Sequence, residues 1–382
     1  MNNKIKTYLE LLNVCLQETP KITKRLFELS QGHIDWIDLL NFAARQGVIG
    51  VYWHGMEKLF KSSVSTINKP TDDDVMEWWG EITDIKKRNE DLFKKTEFVS
   101  RTFKKEGFDN CILKGQGNAL MYPDPFLRTP GDIDIWLKGE HNTIQQYITK
   151  MFPNVKSGKL HIDFPIFKDT LVEVHYTPSY LANPFANKRL QTFFAEEQEK
   201  QNENKRTLPN GRQIPVPTPY FNVIFQLSHI LRHYMYEGIT LKQLVDYFYT
   251  LKEFTDWKKK QENQTDNTIL LSTLKKFGLL RFAQVVMYIM QELGLSHDHL
   301  YSEINEKGGK IVLGSILYEE GGSSPTTLRN MNDLSKFSSV QERQKLKTYR
   351  ALKLLPYFPG ETIWGFFPRI KGALSISKEK HP

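Results

Sequence analysis

Apolar residues recur every three to four positions over Ile34–Arg45 and Val48–Leu59, which predicts two amphipathic helices, the first following a cap near Ser30. Asp72-Asp73-Asp74 then opens a helical pattern that runs to Lys105, the acidic run lying where it compensates the positive end of a helix dipole. Residues 1–106 therefore read as an N-terminal helical region. Beyond 107 the period drops to two. Cys111–Leu113 predicts a short buried strand, Asn118–Met121 the start of a helix, and Tyr122-Pro123-Asp124-Pro125 the turn that stops it. In Gly131-Asp132-Ile133-Asp134-Ile135-Trp136-Leu137 the alternation puts Asp132 and Asp134 on one face of a strand and Ile133 and Ile135 on the other. Lys205–Leu208 and Gln213–Val216 flank Pro209-Asn210-Gly211-Arg212, a hairpin connector that ends this strand-rich region at 217.

Thr218-Pro219 supplies a cap and a first-turn proline for a second helical region, 218–300. On its first helix Phe225, His229, Arg232 or His233, and Tyr236 share a face. A second helix starts near Thr240 and carries Lys242 and Asp246. Residues 301–382 read as a loop-rich segment with a basic aromatic tail. Gly308-Gly309 and Gly321-Gly322-Ser323-Ser324-Pro325 mark loops, Val340–Leu355 a basic helix, and Pro356–Leu374 mixes Phe358, Trp364, Phe366 and Phe367 with Arg369 and Lys371. Such a tail rests on a membrane surface, stacks on nucleic acid, or packs back on the protein. The order helices, strands, helices predicts an α+β fold, a short mixed sheet between two helical units.

Two carboxylates on one strand face repel unless a proton or a cation intervenes, and an all-oxygen site suits Mg2+ (or Mn2+) with phosphate oxygens completing its shell. The same Asp-Ile-Asp-Ile pattern also fits an ordinary half-exposed strand. Gly115 and Gly117, in Lys114-Gly115-Gln116-Gly117-Asn118, supply a turn of the kind whose backbone N–H groups hold phosphate. Lys114 is then a phosphate contact or a solvated lysine. Arg128 is a triphosphate contact, a partner of the carboxylate pair, a surface charge, or a structural ion pair.

Lys114-Gly115, Tyr122–Pro125, Arg128 and Gly131–Asp134, in this order, resemble the polymerase-beta-like nucleotidyltransferases, and within them the uncharacterised bacterial branch that carries these motifs. The wider superfamily has Gly-Ser where this chain has Gly115-Gln116 and Gly117-Asn118. The resemblance implies that 107–217 is a catalytic palm and that a neighbouring strand supplies a third carboxylate. In Leu171-Val172-Glu173-Val174-His175-Tyr176 the alternation sets Glu173 and His175 opposite Val172 and Val174, so Glu173 is the candidate third metal ligand or general base. His175 and Tyr176 line a substrate pocket or serve packing. The implied chemistry is transfer of a nucleoside monophosphate from a nucleoside triphosphate to an acceptor hydroxyl on a small molecule, sugar, RNA or protein. Asp132 and Asp134 hold the metal, and pyrophosphate leaves. Lys114, Gly115, Gln116, Gly117, Asn118, Arg128, His229 and His233 are the candidate phosphate contacts. His229, His233 and Asp246 are also weighed as a separate metal site. Two other readings keep the fold: a phosphotransferase that moves the terminal phosphoryl group, and a non-enzymatic binding module.

Composition adds little that is specific. The 382 residues carry 52 basic against 44 acidic side chains, a modest +8 that suits a polyphosphate cleft as well as RNA. Cys15 and Cys111 are too few for a disulfide framework or a cysteine metal cluster. No run reaches the roughly 18 apolar residues a spanning helix needs, and Met1–Pro20 does not read as a secretory signal, so a cytoplasmic location is expected.

Overall fold

Where the period is two the chain forms a small sheet, and where it is 3.6 it forms the helices packed around that sheet. The computed structural model of the chain describes residues 2–61, 66–260, 267–317 and 354–365. Helices α1 (Asn3–Cys15), α2 (Lys24–Ser30), α3 (Trp36–Gln46), α4 (Ile49–Phe60) and α5 (Asp72–Lys105) come first. Next are strand β1 (Asn110–Ile112), the single turn α6 (Gln116–Ala119), β2 (Ile133–Leu137), α7 (His141–Met151), β3 (His161–Asp163) and β4 (Val172–His175). Then α8 (Pro184–Glu203) precedes the hairpin β5 (Lys205–Thr207) and β6 (Gln213–Pro215). The helices α9 (Pro219–Tyr236), α10 (Leu241–Lys260), α11 (Asn267–Lys276), α12 (Leu280–Glu292) and α13 (Glu306–Leu317) complete the order. This is the expected α+β architecture.

The predicted start of α5 holds to the residue. Thr71 Oγ1 accepts from the Asp74 N–H while the Asp74 carboxylate accepts from the Thr71 N–H, a reciprocal cap that the acidic run makes available. The cap expected near Ser30 is a correction. Asp35 caps α3, accepting from the Asp38 N–H, and Ser30 is the last residue of α2. Only Leu26 and Ser30 of α2 are buried, so that helix left almost no apolar stripe to read. The loop expected at Gly308-Gly309 is also corrected, because both glycines lie in the first turn of α13. A Cβ on Gly309 would stand 2.2 Å from Tyr288 Cδ1 and one on Gly308 2.6 Å from Val285 Cγ2, so they are there to let α13 press against α12. The loop expected at Gly321–Pro325, the basic helix expected at Val340–Leu355 except for its last two residues, and the tail beyond 365 fall outside the described residues. Within the tail, Phe358 is buried edge-on against Phe282 of α12.

The four-stranded sheet runs β1-β2-β4-β3, with β2 and β4 parallel and each outer strand antiparallel to its neighbour. Its two faces have separate fates. Ile133, Ile135, Leu137, Ile162, Val172 and Val174 share a core with Val99 and Phe103 of α5 and Ile144 and Ile148 of α7. The other face turns toward the helical units: Trp136 lies in the larger core, stacked on Phe221 of α9 with ring centroids 5.8 Å apart. That second face carries the polar side chains. No helix among the described residues is long and apolar enough to cross a membrane.

Candidate active site

Register decides which side chains meet. Asp134 is level with Glu173 across the parallel β2–β4 pair, Glu173 with Asp163 and His175 with His161 across the antiparallel β4–β3 pair. With period two, Asp134, Glu173, His175, His161 and Asp163 therefore share the face that is not apolar.

Asp134 is the buried centre of this group. Lys114 Nζ lies 2.9 Å from its Oδ1, and the His175 Nε2–H donates to the same oxygen over 3.0 Å. Burial would raise the Asp134 carboxyl, but the Lys114 ammonium and the His175 hydrogen bond hold it well below the usual carboxylate range. Asp132, one turn of the pleat earlier, is exposed at the mouth of the strand. Its carboxyl is pushed up, first by the desolvating walls around it and then by the negative charges of Asp134 and Glu173. Glu173 is half-buried. Desolvation would raise it, and the contact with His175 brings it down. The three carboxylates thus form one negative cluster, with Lys114 as its nearest cation. They do not converge on a single point: among the described residues, the His/Cys/Asp/Glu group whose ligand atoms all lie within 4.8 Å of one another is His161, Glu173 and His175.

Lys114 stands at the turn that joins β1 to α6. Gly115 there has φ +55°, and a Cβ on it would sit 2.9 Å from the Asp132 carbonyl oxygen, so the turn presses against the start of β2 as only glycine allows. Across the cleft Lys114 Nζ donates to His229 Nε2 of α9 over 3.4 Å. Burial, then the charge of Lys114, pushes His229 well below the ordinary histidine value, so it faces the ammonium as a neutral acceptor. His233, one turn on, pairs with Glu237 instead (Nδ1 to Oε2, 2.6 Å).

Several residues expected at the phosphate have other partners. Arg128 is buried in a two-pronged pair with Asp246 of α10, Nε to Oδ1 and Nη2 to Oδ2 both at 2.8 Å. Asp246 also accepts from Tyr122 Oη at 2.6 Å and from Asn118 Nδ2 at 3.0 Å. Gln116 Nε2 donates to Asn89 Oδ1 at 3.0 Å, and Asn89 Nδ2 donates to the carbonyls of Phe126 and Arg128, each at 2.7 Å. Arg128, Gln116 and Asn118 therefore clamp the glycine turn between α5, α9 and α10 by their side chains. Asp246 is committed to that clamp, so the separate site weighed for His229, His233 and Asp246 is not formed. Tyr176 sits off the carboxylate cluster, its Oη 3.2 Å from Ser157 Oγ and its ring edge-on to His141, which makes it a packing residue.

Sequence reasoning passed over His161 and undervalued Lys242. His161-Ile162-Asp163 has the same polar-apolar alternation as Glu173-Val174-His175, a signal present but short. Lys242 Nζ donates to the Pro130 carbonyl over 3.3 Å, just ahead of Asp132. Burial and the Arg128 guanidinium push its amine down to about 7, against the opposing pull of Asp246 and Asp132. An unfolded lysine keeps its proton to about pH 10.4, so between pH ~7 and ~10 the unfolded chain binds one more proton and stability rises with pH. Denaturant unfolding at the two ends of that window should show wild type gaining on Lys242→Met as pH rises. An unchanged difference would refute a buried neutral amine.

Residues 32–294, more than half of the chain, match the sequence model of a family described as "Uncharacterised nucleotidyltransferase". Among solved structures, the crystal structure of an antigenic nucleotidyltransferase-like protein from Paracoccidioides brasiliensis aligns with 50% of this chain and 92% of its own, at 17% identity and a TM-score of 0.30, a likeness too distant to inform the site. A search of curated proteins found no match.

Proposed function

We propose, from the premise that the chain belongs to this family of uncharacterised nucleotidyltransferases, that it transfers a nucleoside monophosphate from a nucleoside triphosphate to an acceptor hydroxyl. The observation that carries the reading is the buried Asp134, flanked on the same sheet face by Asp132 and Glu173 and met by Lys114 from the glycine turn. Asp132 and Asp134 offer a hard all-oxygen donor pair, and with Glu173 they gather three carboxylates on one sheet face against the Lys114 ammonium, so a divalent ion such as Mg2+ fits there. When bound, that ion neutralises charge on the phosphates during in-line displacement.

The remaining work falls to the protein's own groups. The Gly115–Gly117 turn and Lys114 hold the triphosphate against β2, and His229 keeps the Lys114 ammonium aimed into the cleft. Glu173 takes the proton of the acceptor hydroxyl as its oxygen forms a bond to the α-phosphorus. The bond from that phosphorus to the bridging oxygen breaks, and pyrophosphate leaves with the electron pair. Arg128, Tyr122, Asn118 and Asp246 fix the turn in place without touching the substrate.

Calorimetric titration with each nucleoside triphosphate, with and without Mg2+, tests the reading. Mg2+-dependent binding in wild type that is lost in the Asp132→Asn/Asp134→Asn double variant supports it; no binding of any nucleotide overturns it. Release of a nucleoside diphosphate instead of pyrophosphate would make the enzyme a phosphotransferase. Glu173→Gln should lower kcat by roughly 10²–10⁴-fold with little change in KM, the signature of a lost proton acceptor. A loss confined to KM would show that Glu173 binds rather than reacts.

A further inference from the structure

We propose that His161, Glu173 and His175 form a binding site for a first-row transition ion of the Zn2+ class, beside the carboxylate pair of β2 and sharing Glu173 with the transfer site proposed above, on which it does not depend for its ligands. Donor atoms about 2.1 Å from a common ion and at tetrahedral angles to it stand about 3.4 Å apart. Here His161 Nδ1 is 3.4 Å and His175 Nε2 3.5 Å from the same oxygen, Glu173 Oε2, and the three donors lie within 4.8 Å of one another.

His161 Nδ1 is buried and, although near that carboxylate oxygen, makes no hydrogen bond. A ring nitrogen and a carboxylate oxygen side by side at 3.4 Å, with no hydrogen bond between them, leave a place for a cation that both can ligate. The imidazole's other nitrogen, Nε2, has Asp163 Oδ1 4.0 Å away, beyond hydrogen-bond reach, so Asp163 adds negative charge beside the cluster. The backbone builds the cluster: His161 and His175 are cross-strand partners, and Glu173 is two residues from His175 on the same face.

Donor chemistry chooses the ion. Mg2+ seeks six oxygens in a near-octahedral shell, whereas two imidazoles and one carboxylate suit Zn2+ and its neighbours. Three protein donors also leave a fourth position open to water or to a ligand. His175 Nε2 serves Asp134 as well, so an ion that takes this nitrogen draws a hydrogen bond away from Asp134 and couples the two sites.

The test titrates Co2+ into the full chain after treatment with a chelator, followed by visible absorption, with Zn2+ as competitor. With excess Mg2+ present to fill the Asp132/Asp134 site, wild type should saturate at one Co2+ per chain that Zn2+ displaces and Mg2+ does not. His161→Ala, on the outer strand β3, should weaken binding by at least the ~10–100-fold that loss of a mere outer partner costs. Asp132→Asn should bind as wild type does. Absence of a saturable signal in wild type, or wild-type binding by both His161→Ala and Glu173→Gln, overturns the proposal. If His161→Ala fails to fold, Glu173→Gln decides alone, since it keeps the side-chain shape and removes the shared donor charge. Mg2+-dependent nucleotide binding, measured separately on His161→Ala, distinguishes failure of this site from failure of the transfer reading.

Discussion

Asp132→Asn is expected to lower turnover by roughly 10³-fold while the unfolding midpoint stays level or rises. The two effects have one cause. The Asp132 carboxyl is raised by its surroundings and by Asp134 and Glu173, so its charged form is disfavoured in the folded chain. Between the unfolded carboxylate value, about 3.9, and the raised folded one, the native state binds the extra proton. Stability linked to Asp132 is therefore present at lower pH and lost as pH rises through that window. At neutral pH the charge is a cost, removed by asparagine. A residue kept ionised against the fold's preference is what a metal-dependent site requires, and the trade between stability and activity follows. Pyrophosphate release from a γ-labelled nucleoside triphosphate measures the first effect and denaturant unfolding the second. Unchanged turnover in the Asp132→Asn/Asp134→Asn double variant would sink the metal assignment.

Asp246→Ala is expected to destabilise the chain by about 3–5 kcal/mol, the range for removing one partner of a buried ion pair. It strands the Arg128 guanidinium in the interior and leaves Tyr122 Oη and Asn118 Nδ2 without their acceptor. The penalty comes from leaving charge unpaired more than from losing attraction. The double change Arg128→Met/Asp246→Leu, which removes both charges and fills the volume, should therefore unfold with a smaller loss than Asp246→Ala. Tyr122→Phe should cost on the order of 1.5–3 kcal/mol, as a hydrogen bond to a charged group does. If Asp246→Ala unfolds like wild type, the clamp is not what holds the glycine turn.

Legibility tracked the range of the interactions involved. The carboxylate strands, the long α5 with its acidic first turn and the Asn210-Gly211 hairpin were readable because residues within a few positions decide them. Arg128 was not, since its partner lies on a helix more than a hundred residues away, and a sequence cannot tell an arginine aimed at phosphate from one aimed at a buried aspartate. The same holds for Asn118 and Gln116, whose partners Asp246 and Asn89 are distant in the chain. Gly308 and Gly309 misled because a glycine pair signals a loop locally and a close helix contact only through Val285 and Tyr288. His161 escaped notice because three residues are too short for alternation to stand out.

The clamp around Asp246 also sets an order of events during synthesis. Every strand of the four-stranded sheet has been made by residue 175, yet Arg128, Tyr122 and Asn118 find their acceptor only when residue 246 leaves the ribosome. At about 5–20 residues per second, the nascent sheet waits on the order of 4–14 s with a guanidinium that has no internal partner. The sheet region therefore consolidates late, with the helices that follow it, and a message truncated before α10 yields a chain for proteases and chaperones rather than a free-standing sheet domain.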